Sequence, residues 1–271
     1  MKRRYPTTLR LIVRPLFVLL FCSSLVVFGT AQNPANTEGR GVLRLRVRVK
    51  DGEATRGLAR KRFFLVRGTL EQNRSWIQES QTQAPVSRDC YYRTAGASQQ
   101  LISWLKENDC ESVYCREIRQ DEWEGQNAVP EFRQAVQAGE SEFKNPDVAR
   151  KWFTVNLAPE IRDGFYRINR ERLKRLLAAA ESTSGAAVQS VMTDRNGTAY
   201  FTDLEPGVFV LTNLLPTEMT STFVSWNCEV QIKAGDLGTE RPFLVMNRQE
   251  RNVKCVGVEK PLPVCESGTG Q

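Results

Sequence analysis

The sequence predicts a mainly β protein of about seven to eight antiparallel strands, interrupted by an α-helical insertion. Three observations carry this. Residues 42–50 alternate apolar with basic side chains, residues 169–181 place apolar groups at helical spacing, and Asn-Gly and Pro-Gly turns separate β-prone runs beyond residue 187.

In the first strand Leu43, Leu45, Val47 and Val49 face a core, while Arg44, Arg46, Arg48 and Lys50 point the opposite way. Asp51-Gly52 ends it. A second strand, 62–67, holds Phe63, Phe64, Leu65 and Val66 and closes at Gly68.

From about Thr69 to Gly185 the pattern becomes helices and loops. Leu101, Ile102 and Leu105 share one side of a helix starting near Ser98, and Gly139 is expected to end a helix holding Phe132, Ala135 and Val136. Asn145-Pro146-Asp147 supplies a cap, a first-turn Pro and an N-terminal acid. Leu173, Leu176, Leu177 and Ala180 form a buried stripe whose other face carries Arg170, Arg172, Lys174 and Arg175.

Strands return at 188–193 and 198–202. Asp194-Arg195-Asn196-Gly197 between them predicts a tight hairpin turn, because Asn and Gly tolerate positive φ. Glu205-Pro206-Gly207 turns the chain into a strand at 208–214, and further strands are expected at 222–233, 242–246 and 253–258.

The series Thr193-Asp194-Arg195-Asn196-Gly197, Ala199-Tyr200-Phe201, Asp203-Leu204-Glu205-Pro206-Gly207, Val208-Phe209-Val210-Leu211 resembles the carboxypeptidase regulatory-like and collagen-adhesin B-type domains. Residues 42–68 are similar to that family's first two strands. The resemblance implies a prealbumin-like antiparallel β-sandwich, used as a binding or structural module on exported proteins. On this reading 42–68 and 187–258 form the sandwich, and 69–186 is a helical insertion into one of its edges. Residues 32–41 are a flexible lead and 259–271 a C-terminal tail.

Residues 1–31 read as an export signal: a basic head of Lys2, Arg3, Arg4, Arg10 and Arg14, an apolar run at 16–28, and small residues before Gln32. The alternative is a retained anchor beginning at Leu11. Cleavage removes five cations and no acid, taking the net charge from +7 to +2, and leaves six of seven Cys. An even number in an exported chain predicts disulfides. Cys90, Cys110 and Cys115 lie apart from Cys228, Cys255 and Cys265, so any complete pairing needs at least one bridge between the two groups.

With no His, the chain lacks Ser-His-Asp, Cys-His and HExxH chemistry. Ser103/Lys106 and Ser141/Lys144 match SxxK, a cheap pattern without its companion motifs at useful spacing. Asp194, Asn196 and Asp203 lack the EF-hand spacing for Ca²⁺, and the Cys pattern offers neither a metal site nor CxxC. Asp121, Glu122 and Glu124 read as a solvated acidic face. No catalytic residue, metal ligand or cofactor is expected. Asn73-Arg74-Ser75 and Asn196-Gly197-Thr198 are glycosylation sequons.

The rows Arg44, Arg46, Arg48, Lys50 and Arg170, Lys174 are the candidate contacts for an anionic partner, against the plainer reading of solvated, aggregation-resistant surfaces. The expected function is an exported non-enzymatic binding or structural module of the cell envelope or secreted space. Its helical insertion carries specificity for a protein, or its cations meet an anionic envelope polymer; nucleic acid is not expected. The alternatives are a membrane-anchored accessory subunit, touching the membrane only if residues 1–31 are retained, and a His-independent hydrolase of Ser-Lys or carboxylate type.

Overall fold

A computed structural model describes residues 39–143, 145–236 and 241–265; the expected export signal and most of the lead lie outside them. The chain opens with β1 (Gly41–Asp51), β2 (Ala54–Gly57) and β3 (Arg62–Arg67). Helices follow: α1 (Arg74–Thr82), α2 (Arg88–Thr94), α3 (Gln99–Glu107), α4 (Gln120–Trp123), α5 (Pro130–Phe143), α6 (Pro146–Trp152) and α7 (Phe165–Ser184). A 3₁₀ turn at Phe153–Asn156 and a π turn at Glu160–Gly164 lead into α7. The return to β gives β4 (Gln189–Met192), β5 (Thr198–Leu204), β6 (Gly207–Thr212), β7 (Thr217–Glu218), β8 (Thr222–Ser225), β9 (Asn227–Ile232), β10 (Phe243–Met246), β11 (Cys255–Val256) and β12 (Val258–Pro261).

These strands make three mostly antiparallel sheets. β1 is central in the first: β10 flanks it on one side, β5 and then β2 pair with it along its length, and β11 follows β10. The second runs β4-β3-β6-β9 and the third β12-β8-β7. The expected wholly antiparallel arrangement needs correction, since β10 pairs parallel to both β1 and β11.

Alternation places Phe63 and Leu65 in one hydrophobic cluster with Leu45, Val47, Leu211 and Val230, joining the first two sheets. Phe64 and Val66 point the other way, into a cluster with Trp76, Leu176, Ala180 and Val210. The second sheet is therefore covered on both faces. The helical segment is not confined to a sheet edge, as expected, because α1 and α7 lie across a sheet face. The remaining helices build their own core around Tyr92, Leu101, Trp104 and Phe132.

Three boundaries differ from expectation for identifiable reasons. Gly139 does not end a helix: it is buried inside α5, where a Cβ would press on Ala149 and Asn156, so its absence lets α6 approach. The expected strand at 222–233 breaks at Trp226, whose N–H donates to Asn213 Oδ1 and whose indole donates to the Met246 carbonyl, sending β8 and β9 to different sheets. The expected tail begins as strand, with β12 pairing antiparallel to β8.

Candidate functional site

The structure gives the basic row of β1 a setting that sequence alone does not. A charged strand at a sheet edge resists aggregation, yet β1 is central, so edge protection does not account for its cations. By register Arg44 stands opposite Tyr200, Arg46 opposite Thr198 and Leu244, Arg48 opposite Met246 and Gly57, and Lys50 opposite Thr55. All of these partners are uncharged. Among the described residues no ion pair involves Arg44, Arg46, Arg48 or Lys50. Arg46 is exposed and the other three half-buried. The Arg44 guanidinium carbon lies 6.0 Å from the Tyr200 ring centre, and its Nε is enclosed without a protein acceptor. At the start of the row a cleft of about 240 Å³ is lined by Arg44, Arg241 and Lys254 together with the acids Glu229 and Asp236.

The second basic row lies elsewhere. Arg170, Lys174 and Arg175 are exposed on α7, which packs on the far face of the second sheet. The two rows occupy opposite sides of the layered sheets and do not form one site. Arg172, expected among the exposed cations, is buried and donates to the Gln83 carbonyl at 3.4 Å. Burial, followed by the nearby Arg175 charge, pulls its pKa below the usual arginine value.

In the helical module Asn145 caps α6 by accepting from Asp147 N and Val148 N. α6 and the 3₁₀ turn that follows it carry apolar residues on two sides: Ala149 and Phe153 are buried against α5, while Val148, Trp152 and Val155 face solvent. Trp152 is 55% exposed and Val155 48%. The sequence marks where this helix starts, but its apolar residues at 148, 149, 152 and 153 do not tell a buried side from an exposed one.

A polar knot holds this module. Glu122, on α4, receives the Arg116 guanidinium, the Arg119 backbone N–H and the Arg119 guanidinium. Arg116 also lies 4.7 Å over the Trp104 ring and donates to Asn108 Oδ1. Burial pushes the Glu122 pKa up, but these bonds outweigh it and hold the carboxyl below its usual value. Where the module meets the third sheet, Glu218 accepts from Arg88 N at 2.9 Å and Ser87 Oγ at 3.2 Å. There burial prevails over the Arg88 bonds and raises the Glu218 pKa.

The other candidates resolve into structural roles. Asp194 Oδ1 accepts from the N–H groups of Asn196 and Thr198, and Gly197 takes φ 76°. The turn is tight, but it is a corner between sheets rather than a hairpin, since β4 pairs with β3 and β5 with β1. Pro206 and Gly207 turn β5 into β6, and Arg67 bridges to Glu205 at 2.6 Å beside them. Asp203 pairs with Arg40, and among the described residues no acidic, Cys or His cluster could hold a metal. Lys106 faces Asp89, and Ser103 lies within 3.5 Å of Gln99; Lys144 of the second SxxK lies outside the described residues. Asp121 pairs with Arg119, and Glu124 accepts from Gln120. Asn73 is fully buried, donating to the carbonyls of Arg67 and Thr69 and accepting from the Trp76 indole, so its sequon is inaccessible.

Three disulfides form: Cys90–Cys265, Cys110–Cys115 and Cys228–Cys255. The first joins α2 to the chain beyond β12 and is the inter-group bridge that parity requires. The third ties β9 of the second sheet to β11 of the first. Such bonds point to an oxidising compartment. No helix among the described residues is long and apolar enough to cross a membrane.

Comparison with protein-family models, curated proteins and solved structures returns no match for this chain.

Proposed function

We propose that this chain is an exported, non-enzymatic binding protein of the cell envelope or secreted space. The first two sheets act as a prealbumin-like sandwich scaffold, and the helical module carries specificity for a protein partner. The carrying observation is the set Val148, Trp152 and Val155, exposed along α6 and the 3₁₀ turn after it, whose other side, Ala149 and Phe153, already serves the core. Apolar groups collected on one exposed face suit burial by a partner, and Trp is favoured at the centre of such contacts. The three disulfides support export, and the Arg-engaged carboxylates and Asp89-engaged Lys106 favour binding over hydrolysis.

The test is capture from envelope extract by the native chain and by Trp152→Asp. A specific partner retained by the native chain and by Arg170→Ala, but lost by Trp152→Asp, supports the reading. Equal capture by all three contradicts it. N-terminal sequencing checks the export step: a chain starting at Gln32 supports cleavage, whereas one keeping residues 1–31 replaces secretion with anchoring.

A further inference from the structure

We infer that the outward face of the first sheet binds a linear acidic polysaccharide, with the carboxylates of successive sugar units meeting Arg44, Arg46, Arg48 and Lys50, and a sugar ring lying on Tyr200. This surface is separate from the stripe on α6.

Alternate residues of a strand repeat every 6.6–6.8 Å or so, which makes the four cations a row of about 20 Å. Cross-strand pairing with acids would neutralise such a row, because like charges in line repel and opposite charges across strands attract. Here every register partner is uncharged, and among the described residues no ion pair reaches the row. The sheet thus keeps four cations in line with no acid opposite them in register; the acids Glu229 and Asp236 line the cleft at its Arg44 end. Three of them are Arg, whose planar fork suits carboxylate oxygens.

The class of ligand follows from what β1 does not offer. An acidic peptide gains most of its affinity by adding a strand to an open edge. β1 provides little edge: residues 45–48 pair with β10, residues 41–46 with β5, and residues 48–51 with β2. A ligand on this face must bind through side chains alone. Tyr200 is 53% exposed and lies directly opposite Arg44, placing an aromatic ring beside the first cation of the row. An apolar ring face adjoining a carboxylate-binding fork fits a uronic acid, whose C–H face stacks while its carboxylate pairs. A bare acidic peptide uses only the second feature.

The test measures binding of the full chain to polygalacturonate, with dextran, poly-L-glutamate and phosphatidylglycerol vesicles as comparison ligands. The expected result is binding to polygalacturonate that weakens with salt, and none to dextran. Arg46→Thr, a substitution the strand accommodates, should weaken binding about fivefold to tenfold and lower the salt slope by roughly one. Tyr200→Ala should weaken polygalacturonate binding while leaving any poly-L-glutamate binding unchanged. Trp152→Asp and Arg170→Ala should leave polygalacturonate binding intact, which separates this surface from the α6 stripe and from α7. Binding unaffected by Arg46→Thr would overturn the inference. So would vesicles or poly-L-glutamate matching polygalacturonate in affinity with equal sensitivity to Tyr200→Ala.

Discussion

Gly197 takes φ 76° in the corner between β4 and β5, where an added Cβ would collide with the Val47 carbonyl oxygen. Gly197→Ala combines backbone strain with that clash, so thermal unfolding should show a loss of more than about 1 kcal/mol. This residue was legible beforehand, because the turn's backbone demands act locally and Asp194-Arg195-Asn196-Gly197 displays them. Arg172 was not: a helical pattern ranks faces by apolarity and cannot foresee that one cation on the polar side finds the Gln83 carbonyl. Glu218 gives a pH prediction at the same scale. Burial raises its pKa above the ordinary 4.5, so its contribution to stability is complete below that value and declines as pH rises through the folded-state value. Glu218→Gln keeps an oxygen acceptor for Arg88 N and Ser87 Oγ. Denaturant titrations should find the variant gaining on the native protein as pH rises from 4 toward neutrality; a difference constant with pH would contradict the assignment.

Among elements, β3 and α7 show two kinds of legibility. The apolar run of β3 fixed its bounds, but only the structure explains why it is apolar at every inner position: Phe63 and Leu65 serve one cluster, Phe64 and Val66 another. The α7 stripe was plain in sequence, although the helix extends further, from Phe165 to Ser184. α1, α2 and β7 went unrecognised because they are short and held by distant partners, as Glu218 holds the start of α2. The helical module depends on Glu122, whose carboxylate gathers Arg116 and Arg119. Its pKa is lowered, so its contribution is present above the ordinary carboxylate value and is lost as pH falls. Glu122→Gln should cost about 1–3 kcal/mol at neutral pH, read by chemical denaturation, with the deficit shrinking in acid. The Cys228–Cys255 bond closes a segment with a sequence separation of 27 residues between β9 and β11. Replacing both Cys by Ser should lower stability by about 2–4 kcal/mol.

For the molecule as a whole, counting Cys predicted that the two groups must be cross-linked, and Cys90–Cys265 is that link. The individual pairings were not legible, since the contacts that choose among them are made by side chains far apart in sequence. Peptide mapping without reduction should recover Cys90–Cys265, Cys110–Cys115 and Cys228–Cys255 as three separate linked pairs. The layering also separates surfaces the sequence left unplaced: β1 and α7 present their cations to opposite sides, and α6 with the 3₁₀ turn after it presents the apolar stripe on the helical module. The central claim, that this stripe receives a protein partner, is tested most directly by photo-crosslinking in intact cells from a reactive residue placed at Val155. A discrete adduct with one partner, abolished by Trp152→Asp and unaffected by Arg170→Ala, is predicted; a stripe that yields no adduct, or one indifferent to Trp152→Asp, would contradict the claim.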